Sequence, residues 1–376
     1  MGRTSPTITT ARAHHARSRV SRVAPPSPRC HTPRSVTKPR DRRAHNAIDD
    51  VMLGASRIQA LYVFVRLGIP DLLATGPGSS TLLASTTGVH PGALHRLLRF
   101  LAAEGYVTLN ADGRFALTPL GEQLTTRSKT GNAGVVLSTA TRGWEVWSHL
   151  LHSVETGQPA FDRVFGRSYF AEQQANPDSL AKFDAALAPS AADTGKALAT
   201  ALVPADCVVD LGCGSGELLF ALLRAWPAAR GIAFDSANVL EFARRRAEAA
   251  GLASRVEFQP GDFLAAVPSG GSLYILSLVL HDWDDAECLR ILRNCQAAMA
   301  PGARLAIVEQ VVPENPVDSP NAAYADLGML VMTGGRERTL AEYRALIERA
   351  GLRFDGLCTL KTRREVSAIE ASRGLL

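Results

Sequence analysis

The stretch Asp210-Leu-Gly-Cys-Gly-Ser-Gly216 decides the fold class of this chain of 376 residues. It overlaps the end of an apolar segment, Cys207–Leu211, which is predicted to be a strand, and it precedes Glu217–Trp226, which is predicted to be a helix. Glycines at such a turn let the backbone approach a ligand without a Cβ in the way. A glycine-rich turn between strand and helix is typical of nucleotide-like ligand sites on doubly wound sheets.

Downstream of this turn, predicted strands and helices alternate, which is the pattern of a parallel, doubly wound α/β sheet. The further strands are Arg230–Phe234, Val256–Pro260, Leu273–Leu278 and Arg304–Glu309, the further helices Val239–Ala250, Ala286–Met299 and Leu340–Ala350, and the terminal strand pair Phe354–Leu360 and Glu365–Glu370. We assign residues 201–376 to this domain.

Residues 46–200 are predicted to form a separate, mostly helical domain. Helix Thr81–Thr87, helix Gly92–Glu104 and a hairpin with an Asp-Gly turn follow each other in the order of a winged helix. A winged helix can bind DNA or serve as an interaction module. The basic residues that the second helix offers to DNA are only His95, Arg96 and Arg99. We therefore favour the interaction module.

The net charge of +5 hides an uneven distribution. Residues 1–44 hold 11 of the 41 Lys and Arg but one of the 36 Asp and Glu, so the rest of the chain is acidic. An acidic body disfavours nucleic-acid binding. We predict that residues 1–45 are a disordered basic tail. It could bind an anionic partner, be passive, or result from a misassigned start codon.

No apolar run is long enough for a transmembrane helix, and no secretory signal begins the chain. The six cysteines have no zinc-site spacing, so we expect reduced thiols, no metal and a cytoplasmic protein.

The glycine turn departs from the dinucleotide fingerprint in two ways. Gly216 comes one residue early, and Glu217 places a carboxylate where a phosphate would bind. Both departures favour a ligand with a zwitterionic amino-acid tail. Asp235 ends the second strand 19 residues after Gly216, at the spacing of an acid that binds ribose hydroxyls. Asp262 and Phe263 follow the third strand, where they could hydrogen-bond an adenine and cover its face.

A group of titratable residues falls at the same sheet edge. His281, in His281-Asp-Trp-Asp-Asp285, follows the strand Leu273–Leu278, Glu309 ends the next strand, and Glu337 lies in the loop Gly334-Gly-Arg-Glu-Arg338. Ligands bind at this edge in open α/β sheets, so the three groups suggest acid–base chemistry. Taken alone, a histidine is usually structural and Glu337 would be an ordinary charged loop residue.

Aromatic residues concentrate in the segment before the sheet. They are Trp144, Trp147, Phe161, Phe165, Tyr169 and Phe170. Such residues form a core or line a flat substrate site.

Taken together, these motifs resemble the S-adenosylmethionine-dependent O-methyltransferases that include plant caffeic-acid and flavonoid enzymes and bacterial polyketide-tailoring enzymes. The resemblance implies a Rossmann-like methyltransferase domain, preceded by a winged-helix dimerisation domain that also supplies part of the substrate lid. It rests on Asp210–Gly216, Asp235, Gly261–Phe263, Leu280–Asp285, Pro301-Gly302, Val308-Glu309 and Gly334–Thr339, and it extends over residues 46–200.

The resemblance also implies residue roles. His281 would be the general base for an aromatic or enolic hydroxyl of a small natural product, and Glu309 and Glu337 would orient its imidazole. The implied cofactor-binding residues are Gly212, Gly214 and Gly216 for the methionine part, Asp235 for the ribose, Asp262 and Phe263 for the adenine, together with Asp210 and Ser277. The implied substrate residues are Trp144, Phe183, Leu187 and Asp282. A homodimer through residues 46–200 is expected.

The chain departs from the family at several of these positions. The family often has a basic residue four or three positions before the histidine, where this chain has Ser277 and Leu278. Asp184 and Leu187 replace the Asn and Met of a family segment that reads Phe-Asn-x-x-Met, and Pro189 follows. These differences bear on cofactor contacts and substrate identity.

Two other functions stay open at this point. A DNA-binding regulator could sense the same cofactor, although the acidic body disfavours it. A relative could use the sulfonium charge for a reaction other than methyl transfer, but the presence of His281 with both glutamates argues against this.

Overall fold

A computed structural model describes residues 47–128, 130–362 and 364–374, without the side chains of residue 47 and of residues 177–186. The chain divides into two units, Met1–Asp50 and Val51–Leu376. The predicted tail, residues 1–45, lies outside the described residues. Every site discussed below belongs to the second unit.

The amino-terminal part of the second unit follows the winged-helix order. Its elements are α1 (Ala47–Arg66), which begins before Val51, α2 (Ile69–Ala74), β1 (Gly78–Ser79), α3 (Ser80–Thr87), α4 (Pro91–Ala103), β2 (Val107–Leu109), β3 (Arg114–Leu117) and α5 (Pro119–Glu122). Ser79 caps α3, and His90 caps α4 just before Pro91. The short strand β1, which was not predicted, extends the hairpin to a three-stranded sheet in the order β1-β3-β2.

A run of helices then leads to the main sheet. These helices are α6 (Asn132–Ser138), α7 (Trp144–Trp147), α8 (Leu150–Thr156), α9 (Ala160–Phe165), α10 (Tyr169–Ala175) and α11 (Pro177–Ala201). The helix α11 continues through Pro189. None of the helices among the described residues is long and apolar enough to cross a bilayer.

The main sheet has seven strands in the order β6-β5-β4-β7-β8-β10-β9. The strands are β4 (Cys207–Leu211), β5 (Arg230–Asp235), β6 (Val256–Pro260), β7 (Leu273–Ser277), β8 (Arg304–Glu309), β9 (Arg353–Thr359) and β10 (Ser367–Ser372). The first five are parallel, and β10 is antiparallel to both β8 and β9. A short connection joins β9 to β10, so they pair as a hairpin, because a parallel pair needs a long crossover.

The helices between the strands are α12 (Glu217–Ala225), α13 (Ala237–Ala249), α14 (Asp285–Ala298), α15 (Pro320–Met332) and α16 (Leu340–Arg349). Two apolar clusters of buried side chains contain alternate residues of the strands, as in β4, where Val208 belongs to one and Val209 to the other. The fold prediction is confirmed, and the difference is that the sheet is mixed. The sequence did not predict α15. Tyr324, Met329 and Met332 of this helix line a cavity. Its apolar residues therefore do not all face the core, and the helical periodicity of buried residues is weak.

Candidate active site

The glycine turn follows β4 directly and ends at the start of α12. Gly212 has a φ of 72°, and a Cβ there would lie 3.0 Å from Val279 Cγ2. The position therefore requires glycine for both its backbone angle and its close approach to the loop after β7. The amide of Gly212 donates to the carbonyl of Phe234 at 2.8 Å, which ties the turn to the end of β5. Gly216 caps the start of α12.

Two acids lie beneath and beside this turn. Asp235 accepts hydrogen bonds from the amides of Gly214 at 3.0 Å and Ser236 at 2.7 Å, so it fixes the shape of the turn. Asp210 is buried, and its Oδ2 has no hydrogen-bond partner among the described residues. Burial and the nearby Asp235 raise the pKa of Asp210 to about 7. A buried carboxylate oxygen that lacks a donor fits a cationic ligand, such as an amino-acid ammonium group.

Glu217 occupies the first turn of α12 and forms an ion pair with Arg246 at 3.2 Å. It therefore has a partner within the protein.

The residues after β6 and β7 flank the glycine turn. Phe263 lies 3.6 Å from a Cβ built on Gly212, and its ring meets Trp283 edge-on with centroids 5.9 Å apart. Asp262 is exposed and accepts from the amide of Leu264 at 2.8 Å. Ser277 is the half-buried last residue of β7. The predicted cofactor residues thus surround the carboxyl ends of β4, β5, β6 and β7.

A sharp turn after β7 presents His281. Leu278 has a φ of 54°, which a residue with a side chain rarely adopts. The amides of Val279 and Leu280 then both point at Glu309 Oε1, at 3.0 and 2.8 Å. Strained residues of this kind cluster at functional sites. One oxygen of Glu309 thus holds the backbone that carries His281.

The imidazole of His281 lies against two buried carboxylates. Its Nδ1 is 2.9 Å from Glu337 Oε1 and 3.5 Å from Glu309 Oε2. On the other side of the ring, Nε2 lies 3.9 Å from Asp282 Oδ2. With the Nδ1 proton donated to Glu337, Nε2 is the nitrogen that can accept a proton.

The surroundings of His281 change its proton affinity. Burial lowers its pKa, but the negative charges of Glu309, Asp282 and Glu337 outweigh burial and raise the pKa to about 10. Burial raises the pKa of Glu309 to about 7 against the attraction of His281, and it raises the pKa of Asp282 to about 6. The cluster therefore stabilises an imidazolium, which is the form that a general base takes after it accepts a proton.

Three residues that the sequence did not single out hold this arrangement together. Arg338 is fully buried, donates to the carbonyls of Leu280 at 3.0 Å and Trp283 at 2.8 Å, and pairs with Asp285 at 2.9 Å. In the loop Gly334-Gly-Arg-Glu-Arg338 the sequence predicts a role for Glu337 and none for Arg338.

The other two residues act on the same loop. Asp326 accepts from the amide of Glu337 at 2.9 Å. A Cβ on Gly335 would lie 2.0 Å from the carbonyl oxygen of His281, so only glycine fits between the two loops. No local sequence pattern marks Asp326, because it acts on a residue 11 positions away.

A cavity of about 450 Å³ opens beside His281. Its wall includes His281, Glu337, Leu278 and the methionines of α15. It also includes a stacked pair formed by Trp147 and Tyr324, whose ring planes are 1° from parallel and whose ring centroids are 5.6 Å apart. Such a flat apolar wall suits a planar aromatic ligand.

The predicted substrate residues have different positions relative to this cavity. Asp282 lies beside His281 Nε2. Trp144 is 45% exposed and is not among the lining residues, whereas its neighbour Trp147 is. Leu187 is half-buried on α11, also outside the lining. The side chain of Phe183 lies outside the described set. The resemblance implies a substrate role for Trp144, whereas the tryptophan that lines this cavity is Trp147, from the same aromatic cluster.

The side chains of His281, Glu309 and Glu337 bring potential ligand atoms within 4.8 Å of one another, a spacing that could hold a metal ion. The expectation of a metal-free site stays a prediction.

Comparisons with known proteins agree with this geometry. Residues 147–353 match the O-methyltransferase domain, and residues 50–127 match the O-methyltransferase dimerisation domain. The chain is 37% identical to the mitomycin biosynthesis 6-O-methyltransferase of Streptomyces lavendulae, over 83% of this chain and 90% of the relative. It is 38% identical to the phenazine O-methyltransferase PhzM of Lysobacter antibioticus, over 83% of this chain and 92% of the relative.

One similar solved structure contains ligands. It is NcsB1, an O-methyltransferase from neocarzinostatin biosynthesis, in complex with S-adenosyl-L-homocysteine and 1,4-dihydroxy-2-naphthoic acid. The TM-score is 0.77 and the identity is 32%, with 88% of this chain and 99% of that chain covered.

Proposed function

The chain belongs to the O-methyltransferase family, whose cofactor is S-adenosylmethionine, and from this premise we propose that it methylates an aromatic or enolic hydroxyl of a small natural product with His281 as the general base. The observation that carries the proposal is the 2.9 Å contact between His281 Nδ1 and Glu337, in a histidine that also lines the cavity. This contact fixes the ring and leaves Nε2 to meet the acceptor.

The methyl transfer is a direct displacement. When bound, S-adenosylmethionine supplies a methyl group on a sulfonium, and its transfer to the acceptor oxygen leaves a thioether. The hydroxyl proton passes to His281 Nε2, so charge and atoms balance. The enzyme's main task is alignment of oxygen and methyl carbon, which can supply a large part of the rate enhancement.

The carboxylates make His281 a stronger base than free imidazole. A phenol has a pKa of about 10, and an ordinary histidine about 6.5, so proton transfer between them is uphill by roughly 3.5 units. The negative charges of Glu309, Asp282 and Glu337 raise the pKa of His281 and so make this proton transfer less unfavourable. A stronger base accepts the proton more readily, but only its neutral form can do so, and the product of these two factors sets the efficiency of general-base catalysis.

The glycine turn and its acids are assigned to the cofactor. Asp210 would attract the ammonium group of the methionine part, since its buried Oδ2 lacks a donor. Asp235 would accept from the ribose while it holds Gly214, and Phe263 would cover the adenine beside Gly212. Asp262, Ser277, Gly212, Gly214 and Gly216 complete this assignment.

The predicted division at residues 200 and 201 and the homodimer through residues 46–200 are also part of the proposal. The homodimer is supported by the match of residues 50–127 to a dimerisation domain. The match of residues 147–353 to the O-methyltransferase domain runs across the predicted division.

The test is a labelled-methyl assay of the full chain against a panel of phenols, enols and aryl amines, with mass spectrometry of the product. We expect label on oxygen, and the same turnover after treatment with EDTA. Label on nitrogen alone, or no transfer to any hydroxyl despite cofactor binding, would contradict the proposal. A gel shift with DNA at physiological salt would instead favour the regulator.

A further inference from the structure

The cavity beside His281 contains a second basic side chain. Arg364 lies in the connection between β9 and β10, and among the described lining residues it and His281 are the basic ones. Its neighbour in the wall, Gln310, directly follows Glu309. The side-chain amide of Gln310 donates from Nε2 to the backbone carbonyl of Arg364 at 3.0 Å, so the residue after Glu309 anchors the backbone of Arg364.

Arg364 has no carboxylate within ion-pair distance in the part of the chain that the structure describes, although it is half-buried. Glu337 attracts it from beyond that distance, and the Oε1 of Glu337 already pairs with His281. Glu365 also lines the cavity, but its side chain is exposed and makes no ion pair with Arg364. A guanidinium kept partly from water without a partner is costly unless an anion arrives.

The backbone of this connection is also constrained. Glu365 has a φ of 54°, and with Leu278 it is one of the two non-glycine residues with positive φ among the described residues. Both line the cavity. Such conformations are retained where the surrounding structure determines them, which is common at ligand sites. The constraint therefore fixes the segment that carries Arg364 rather than leaving it free to swing away.

We propose that Arg364 recognises a carboxylate on the acceptor, so that the substrate is a hydroxylated aromatic carboxylic acid. A planar guanidinium matches a carboxylate with two parallel hydrogen bonds. The stacked Trp147 and Tyr324 would meet the aromatic ring, and His281 would meet the hydroxyl. The proposal rests on the proposed function, because it assigns specificity within the same site.

The test compares 6-hydroxy-2-naphthoate with 6-hydroxy-2-naphthamide, which differ in charge but little in size. In the full chain at saturating S-adenosylmethionine, we expect kcat/KM to be at least about 10-fold higher for the acid. Arg364→Gln should lower the acid-to-amide ratio about 10- to 100-fold. Lys361→Gln, an exposed cation of the same connection that does not line the cavity, should leave the ratio unchanged.

Binding of the two probes to the protein saturated with S-adenosylhomocysteine, measured by calorimetry, separates this inference from the proposed function. Tighter binding of the acid that Arg364→Gln removes would support the inference even if neither probe is methylated. Equal binding, equal turnover of acid and amide, or a preference that survives in Arg364→Gln would overturn it while leaving the methyltransferase proposal intact.

Discussion

Nδ1 of His281 lies 2.9 Å from Oε1 of Glu337, with both side chains buried. A second carboxylate oxygen, from Glu309, lies 3.5 Å from the same nitrogen and has no hydrogen-bond partner among the described residues. One nitrogen proton cannot satisfy two carboxylates fully, so Glu309 acts mainly through its charge and through the two amides that it holds. Orientation and electrostatic stabilisation are thus divided between the two glutamates.

Replacement of the base is the first prediction. His281→Ala should lower kcat by about 10²- to 10⁴-fold, because positioned proton transfer contributes that much. Binding of S-adenosylmethionine should persist, since the cofactor residues lie around the glycine turn. Initial-rate kinetics and calorimetry measure the two quantities. His152→Ala, a half-buried histidine that does not line the cavity, is the control and should keep full turnover. Equal turnover in both variants would remove the general-base assignment.

The second prediction concerns pH. Activity needs neutral His281, so kcat/KM should rise with pH through the pKa of this residue. Its negative neighbours raise that pKa against the effect of burial. Glu309→Gln removes one of those charges and so lowers the pKa of His281. The rise of kcat/KM should therefore occur at a pH lower by about one unit or more. The plateau should fall, since a weaker base transfers the proton less readily.

The control for this profile is Glu314→Gln, which removes an exposed acid outside the cavity. Its profile should overlay that of the unmodified protein. A Glu309→Gln profile that moves to higher pH, or stays in place with the same plateau, would be incompatible with an electrostatic role for Glu309.

The sequence predicted which residues share one edge of the sheet, because the carboxyl ends of parallel strands meet there. Asp235 and Glu309 end their strands, Asp210 is the penultimate residue of β4, and His281 follows β7. Their shared edge therefore follows from the assignment of the strands. The family and its cofactor, inferred from the same motifs, are confirmed by the matching domains and relatives. The roles of the individual residues stay predictions.

What the sequence did not predict depends on contacts between distant loops. Arg338 binds the carbonyl of Leu280, which is 58 positions earlier, and its position in a charged loop gave no sign of complete burial. Arg364 lies far along the chain from His281, and the two side chains line the same cavity. Hydrophobic periodicity indicates which face of a single helix or strand is buried. It does not indicate which loops contact each other in the folded chain.

The third prediction compares two arginines that pair with the same carboxylate, Asp285. Arg338 is buried and also holds two carbonyls, whereas Arg336 is 44% exposed. Arg338→Met should lower the free energy of unfolding by about 3 kcal/mol, because it leaves buried acceptors without donors. Arg336→Met should cost less than about 1 kcal/mol. Urea unfolding measures both. Similar losses would show that burial does not set the importance of Arg338.

A fourth prediction concerns the contact between two loops. Gly335→Ala would place a Cβ 2.0 Å from the carbonyl oxygen of His281, so one of the loops must shift. We expect a loss of stability of about 1 to 3 kcal/mol from overpacking and a larger loss of kcat than of cofactor affinity. Gly134→Ala, on an exposed helix position with nothing within 4 Å, should be neutral or slightly stabilising. Full activity in Gly335→Ala would show that the turn of His281 tolerates displacement.

The last prediction separates binding from folding at Asp210. Burial and Asp235 raise its pKa to about 7, above the ordinary 3.8. A raised pKa means that the group contributes stability below about pH 4, and that this is lost as the pH rises through 7. Asp210→Asn lacks this titration, so without cofactor its stability relative to the unmodified protein should increase between pH 4 and 7.

The same substitution should weaken binding of S-adenosylmethionine by about 10-fold or more, because a charge-assisted hydrogen bond is lost. Chemical unfolding across pH and calorimetry give the two readouts, and Asp206→Asn, which removes an exposed acid just before β4, should change neither. If Asp210 is kept as a buried charge for its ligand, Asp210→Asn should gain relative stability between pH 4 and 7 and should lose affinity for S-adenosylmethionine. A variant that loses stability across this pH range and binds cofactor normally would mean that Asp210 serves the fold alone.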